Sequence, residues 1–540
     1  IFIPGAPEWG SPFRQKTKEQ ERKRMRKTKN ELYRTLDGAE PEGERYSELL
    51  EQCRIWNERD EYQKIIDALE AIPDQARTPE TDSELARAYN NLADPGEPRG
   101  ISMIRRALAL LKPHEAYFEG DHVWNFRMGY SYYHLDQEGR GLFYFRRALE
   151  ALPGDKDTEE LIGCCEDRIT LPRFRENFRE RTQKTWAAFA EQEAELRRFM
   201  EEDRNHERGE ELTGKCEQIL NLAFEDISFE MGFNGRKPEL ILTPEGDKVK
   251  LFELVYFQKH APAEVLEHWN ILVGRQPAAN MGLRSGEWEI SGDDVRIRLE
   301  QTGEKSFALF AYCEKLLPLL PEEEGRAWWM LTTLTDQVLG EIPHMRYIDA
   351  FHVLHEPGEE PCIFLTELPG KLQDMGLDLS SDPEAYLEGS YTGYRMEPNE
   401  DPNGDWRLDV IAGSTNCTAL VSEYLNNENG YMDALHADGA AAGFFCYPLE
   451  SFTGENRSQQ IFDFRDKLEA ALREGVGGDC VTLTGGATGI YCGYVDFIAW
   501  DLLTVLTQAR AFFENSHIPW ADFHVFRRDA GTVALKARKE

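Results

Sequence analysis

The sequence predicts a multidomain chain: an N-terminal α-helical solenoid over residues 31–210, then two α+β modules at 211–380 and 381–540 related by internal duplication. Three observations carry this. The stretch Val123–Pro153 is spaced as two helices packed on each other. Near Leu212 helical periodicity gives way to short β-branched and aromatic runs alternating with helices. Finally, Trp328 aligns with Trp500 in an ungapped self-match. A chain of 540 residues also exceeds what one core serves; at about 150 residues per domain it holds about three or four.

Residues 1–30 read as an extended basic leader. Ile1–Phe13 holds three prolines and two glycines, and Arg14–Lys29 carries nine basic residues against Glu19 and Glu21. A solvated leader folding back on an acidic protein is the favoured reading, with docking on an anionic surface as its competitor. The chain opens on Ile1 and not Met, so it is read as a fragment, a processed chain or an incomplete reading frame.

Helical periodicity begins near Glu31. Tyr46, Leu49, Leu50, Cys53 and Trp56 share one face, Ile65, Ile66, Leu69 and Ile72 the next, and Pro73 ends that helix. A second pair follows, with Leu85, Ala86 and Tyr89 on one helix and Ile104, Ala107 and Leu111 on the other. Its connection, Ala93–Gly100, is long for a helical repeat. In the third pair Gly129 and Tyr132 lie on the first helix, Gly141, Phe145 and Ala148 on the second, and Pro153 closes it. Phe174, Phe178, Trp186, Phe189 and Leu196 then predict one long amphipathic helix from Cys164 to about Asp203, placed to cap the array.

Strands are expected at 239–243, 269–274, 287–291 and 294–300, followed by a helix at 325–342 and a strand at 347–354. The last segment predicts strands at 406–413, 442–449, 480–486, 523–526 and 532–535, with helices near 418–425, 459–473 and 495–513. At a constant offset from Trp328 to Trp500, Leu331, Thr332, Leu334, Thr335 and Phe351-His352-Val353 match Leu503, Thr504, Leu506, Thr507 and Phe523-His524-Val525.

The net charge of −36 repels phosphate backbones and anionic lipid, so neither nucleic acid nor a membrane is an expected partner. No apolar run approaches the roughly 18 residues of a spanning helix. Ten cysteines without a CxxC pair or a His cluster read as reduced thiols of a cytoplasmic protein.

Candidate chemistry is dispersed. The Gly485–Gly489 run, GGATG, follows an apolar strand, but no GK[ST] follows and the spacing is not GxGxxG, so it reads as a strand-end turn needing positive φ. His436, Asp438, Cys480, Asp496, Asp501, His517 and His524 hold acid/base or nucleophilic chemistry only if they converge. His352 and His524 occupy matched places and read as architecture, and Trp328 and Trp329 as core or interface packing.

The Val123–Pro153 unit resembles the tetratricopeptide repeat, in which small residues let two helices approach and aromatic residues fill the space between. Its neighbours match in part, so the resemblance covers about 45–165. It implies a protein-binding scaffold whose concave face is lined by the first helix of each repeat. Carried onto this chain, that face holds Val123, Phe126, Tyr130, Tyr133 and His134, with Arg87, Asn90 and Asn91 in the preceding repeat. The remainder resembles α/β modules of unknown function in bacterial proteins, and brings no catalytic residue, cofactor or metal ligand. The expected function is therefore a protein- or peptide-binding adaptor or regulatory scaffold. The alternative is a hydrolase or nucleotide-using enzyme sited in the C-terminal module.

Overall fold

The computed structural model describes residues 46–540 except 203–207, 279–281, 321, 359–360, 475–477 and 538–540. The leader, including Arg14–Lys29, lies outside the described residues. The chain divides into two units, Ile1–Ile169 and Thr170–Glu540.

The first unit is helical: α1 (Ser47–Asn57), α2 (Tyr62–Glu70), α3 (Pro79–Leu92), α4 (Pro98–Leu111), α5 (His122–His134), α6 (Glu138–Ala151) and α7 (Lys156–Thr170). Local chemistry sets the starts. Thr78 caps α3 in a reciprocal box with Thr81, Pro79 fills the first turn, and the Asp121 carboxylate accepts from Trp124 N at 2.7 Å to start α5. Successive helices pair through the faces that the periodicity marks, and Cys53, Ile65, Leu69, Leu85, Ile104 and Leu111 are fully buried. The α3–α4 connection is shorter than expected, because α4 already begins at Pro98. Gly100 allows this: a Cβ there would collide with the backbone of Asp94, so only glycine lets the loop fold back on the helix. In the next hairpin a Cβ on Gly129 would sit 2.7–2.9 Å from the Phe145 ring. The absence of a side chain is what brings α5 and α6 together.

The expected single helix from Cys164 to Asp203 is two helices. Leu171-Pro172 follows the end of α7, where the proline ring prevents continuation. The second piece, α8 (Phe178–Glu202), belongs to the second unit, whose core takes up Phe178, Trp186, Phe189 and Leu196. Its apolar stripe is thus used within that unit.

The second unit continues with α9 (Gly209–Leu220), β1 (Ser228–Phe233), β2 (Pro238–Thr243), α10 (Lys248–Lys259), α11 (Ala263–His268) and β3 (Asn270–Val273). These strands form a three-stranded sheet, β1–β2 antiparallel and β2–β3 parallel across the helical crossover. Next come β4 (Gly282–Ser285), β5 (Trp288–Ser291), β6 (Arg296–Gln301), β7 (Phe307–Tyr312), α12 (Glu324–Leu339), α13 (Glu341–Tyr347), β8 (Ile348–Val353), β9 (Ile363–Phe364) and α14 (Leu368–Asp374). They make a β4–β5 hairpin and a four-stranded sheet of order β8-β7-β6-β9. After α15 (Pro383–Gly389) the chain forms β10 (Thr392–Arg395), β11 (Val410–Thr415), α16 (Thr418–Asn426), α17 (Gly430–Asp438), β12 (Ala441–Pro448), α18 (Arg457–Arg473), β13 (Val481–Gly489), β14 (Cys492–Ala499), α19 (Leu502–Asn515), β15 (Ala521–Val525) and β16 (Val533–Lys536). All neighbours in this seven-stranded sheet, of order β10-β11-β13-β14-β12-β15-β16, are antiparallel.

Two cores result, and they do not divide at residue 380. One runs from Phe178 to Val273, through Ile342, and resumes from Tyr386 to Leu535. The other lies between, from Ile290 to Leu372. The middle of the unit is therefore an insertion with its own core.

This arrangement overturns the duplication, since a four-stranded sheet with parallel β7–β8 and a seven-stranded antiparallel sheet have different strand orders. Trp328 is 48% exposed, whereas its matched Trp500 is 1% exposed. The expected helix at 495–513 begins instead as strand β14, all eight residues of which are buried between β13 and β12. A short apolar run buried on every side carries no periodicity to tell strand from helix. The Gly485–Gly489 run lies inside β13, not at its end, and no helix follows it. Gly485 adopts φ 143° at a break in register, and a Cβ on Gly489 would strike the Asp409 carboxylate.

Candidate functional site

The first helices of the three hairpins, α1, α3 and α5, line a groove of about 400 Å³. Its walls include Arg54 from α1, Ser83, Glu84 and Arg87 from α3, and Val123 and Arg127 from α5. Helical spacing puts Glu84 and Arg87 on one face, and both guanidiniums of the groove floor converge on the single Glu84 carboxylate. Arg127 is well satisfied: Nη2 donates to Glu84 Oε1 at 2.7 Å, and Nη1 donates to Ser83 O at 2.9 Å and Ser83 Oγ at 2.6 Å.

Arg87 is not. It ion-pairs with Glu84 through Nη2, and its buried Nε has no hydrogen-bond acceptor. Desolvation lowers its pKa below the usual guanidinium value against the pull of Glu84, and Arg127 adds to the lowering. Burial, assisted by Glu84, pushes the neighbouring Cys53 thiol up to about 11. The other acids here are engaged: Glu51 with Arg54, Glu80 with Tyr117, and Asp121 at the α5 cap. The groove floor is thus a two-arginine, one-carboxylate site with donor capacity to spare, and it suits an anionic oxygen.

Of the residues expected on the binding face, Arg87 and Val123 line this groove. Asn90 is buried, donating to Ser131 Oγ at 2.9 Å, so it pins α3 to α5. Asn91 is exposed and donates to Asn57 Oδ1 at 3.3 Å. Phe126, Tyr130 and Tyr133 are half-buried on the next face, packed on Leu142, Phe145, Cys165 and Ile169 of α6 and α7, and His134 lies 4.3 Å from the Tyr130 ring. Helix α7 is fastened there by Arg168, which pairs with Glu138 at 2.6 Å and covers the Tyr133 ring at 5.2 Å. Arg127, Glu84 and Ser83 were missed by sequence reasoning. Their signal is the position of Arg127 one turn beyond Val123, which aims it at the preceding hairpin.

In the second unit the acid/base candidates occupy separate surroundings. His436 is 1% exposed, lies edge-on to Phe174, and is held neutral by burial and then by Arg527, its pKa lowered to about 3. Asp438 accepts from Lys250 Nζ and Glu225 N, both at 2.6 Å. Asp496 pairs with Arg407, and Asp501 caps α19. The buried Cys480 thiol has its pKa raised by desolvation. His517 packs on Phe452, and His524 stacks on Phe444, with Nδ1 at 2.6 Å from Val525 O. His352 lies exposed on β8, stacked on Phe310. These residues form no single hydrogen-bonded constellation. Among the described residues no group of three His, Cys, Asp or Glu is placed to hold a metal ion, and no helix is long and apolar enough to cross a membrane.

No family model matches the chain, and no curated protein or solved structure is significantly similar to it.

Proposed function

We propose that the protein is a peptide-binding adaptor, and that the α1–α3–α5 groove is its recruiting surface. The observation that carries this is Arg87, a partly buried guanidinium that lines an open groove, holds Glu84 through Nη2 and leaves its Nε without an acceptor. A carboxylate from an extended segment, its C-terminus or an acidic side chain, supplies that acceptor in a charge-assisted hydrogen bond. The tetratricopeptide resemblance of Val123–Pro153 points to the same face. Ten free cysteines, buried except for Cys164 and Cys362, support a cytoplasmic setting.

The test is fluorescence anisotropy with labelled extended pentapeptides carrying either a free or an amidated C-terminus. Saturable, salt-sensitive binding of the free-carboxylate or acidic peptides is expected, weakened at least about tenfold by Arg87→Ala, which corresponds to about 1.4 kcal/mol. Binding indifferent to Arg87→Ala in a folded protein would refute the assignment, as would no binding by any acidic peptide.

A further inference from the structure

A second site lies wholly within the second unit. It is a cavity of about 560 Å³, inside the about 300–1,000 Å³ usual for small-molecule sites. Its apolar floor includes Phe252, Leu387 and Trp500, with Tyr256 stacked on Trp500 at 4.6 Å. Two further lining residues have idle polar atoms. Tyr256 is 6% exposed and its Oη has no hydrogen-bond partner. Asn416 is 4% exposed; its Nδ2 donates to Leu387 O at 3.0 Å, which fixes the amide and leaves Oδ1 without a partner. Buried polar atoms are rarely left unpaired, and these two both line one cavity.

The rim carries both signs of charge. Lys259 pairs with Glu384, and His260 Nε2 meets Asp479 Oδ1 at 2.7 Å while its Nδ1 faces Tyr256 O at 2.7 Å. Arg473 and Glu388 complete it. A simple anion meets Glu384, Glu388 and Asp479 at this mouth; a simple cation meets Lys259 and Arg473. A molecule that carries both an ammonium and a carboxylate meets partners of either sign there. In the interior, Asn416 Oδ1 is free to accept an N–H and Tyr256 Oη to donate to a carbonyl, the two kinds of partner that peptide groups need. The aromatic floor takes an apolar side chain.

We propose that this cavity binds a short zwitterionic peptide, of two or three residues with an apolar side chain, through Asn416 and Tyr256. The probe is the dipeptide Leu-Leu, titrated calorimetrically into the full chain, with acetyl-Leu-Leu-amide, free leucine and adenosine as comparators. Saturable binding of Leu-Leu is expected, at least tenfold tighter than any comparator and at least tenfold weaker in Tyr256→Phe. That substitution removes only an unpartnered hydroxyl, whereas Asn416→Ala also breaks the bond to Leu387. Leu-Leu also carries the free carboxylate proposed for the groove, so the titration is repeated in the Arg87→Ala background, where the Tyr256-dependent binding is expected to remain. The proposal is overturned if neither Leu-Leu nor Leu-Leu-Leu binds, if Tyr256→Phe binds like the parent, or if the capped peptide or adenosine binds as well as Leu-Leu.

Discussion

Removing the Arg407 guanidinium should open the middle of the seven-stranded sheet. Arg407 and Asp496 are 1% and 0% exposed and paired to each other, and Arg407 Nη2 also donates to Tyr394 Oη at 2.7 Å. The guanidinium lies 5.1–5.4 Å from the ring centres of Phe444, Tyr494 and Phe526. In Arg407→Met the aliphatic volume is largely kept, but the Asp496 carboxylate is stranded with Oδ2 already unpartnered. Breaking one side of such a buried pair costs about 3–5 kcal/mol. Amide exchange of the 481–499 segment, read by mass spectrometry, should therefore accelerate by a factor of about 10² to several thousand, at about 1.4 kcal/mol per tenfold. The double variant Arg407→Met/Asp496→Leu should recover most of the protection, because no charge is left behind. An acceleration below about tenfold in the single variant would refute the reasoning. A double variant as labile as the single would show that the cost lies in lost packing and cation–π contact, not in the stranded carboxylate.

Gly129→Ala should destabilise the α5–α6 hairpin by about 1–2 kcal/mol net, because overpacking against Phe145 outweighs the helix-propensity gain of about 1 kcal/mol. Urea denaturation checks this, and Gly129→Ala/Phe145→Leu should be more stable than the sum of the single effects. For His436, burial depresses the folded pKa to about 3 from the ordinary imidazole value of about 6.5, so its contribution to stability is present above 6.5 and lost as pH falls toward 3. Stability should decline on acidification through that window by up to about 1.4 kcal/mol per pH unit from this group, and His436→Phe should flatten the curve. An unchanged pH slope in the variant would show that the imidazole is not the titrating group.

The helical half was legible because its signals are local. Cys53, Ile65, Leu85, Ile104 and Phe145 recur at helical spacing and are all fully buried. Within that half, the periodicity did not show which neighbour each aromatic would meet. Tyr130 and Tyr133 have the spacing of an open face, but α7 packs against it, and the fastening by Arg168 connects residues far apart in sequence. Arg87 was legible as a polar residue on the binding face. Its unfilled hydrogen-bonding capacity was not, since that depends on how Glu84 is shared between Arg87 and the distant Arg127. The cavity of the second unit left no sequence signal at all, because Tyr256, Asn416 and Trp500 come from three distant segments.

The apparent duplication shows how a true local likeness misleads about topology. Both matched segments are strand–helix–strand units: β7, α12 and β8 in the insertion, and β14, α19 and β15 in the large sheet. In each, the two strands run in the same direction. β7 and β8 are paired directly, whereas β14 and β15 are each antiparallel to β12, which lies between them. A crossover helix over a sheet needs an apolar face, and its strands need apolar residues in alternation. Those demands place Leu331 and Leu334 in one core, Leu506 in the other, and a Phe-x-Val pattern in both β8 and β15. They say nothing about a strand inserted between the pair. The surrounding layers then set the differences: Trp500 is enclosed by Phe178 and Tyr256, while Trp328 stays open to solvent. Shared identities therefore report the crossover unit alone, and residues that contact other layers carry the information about sheet order.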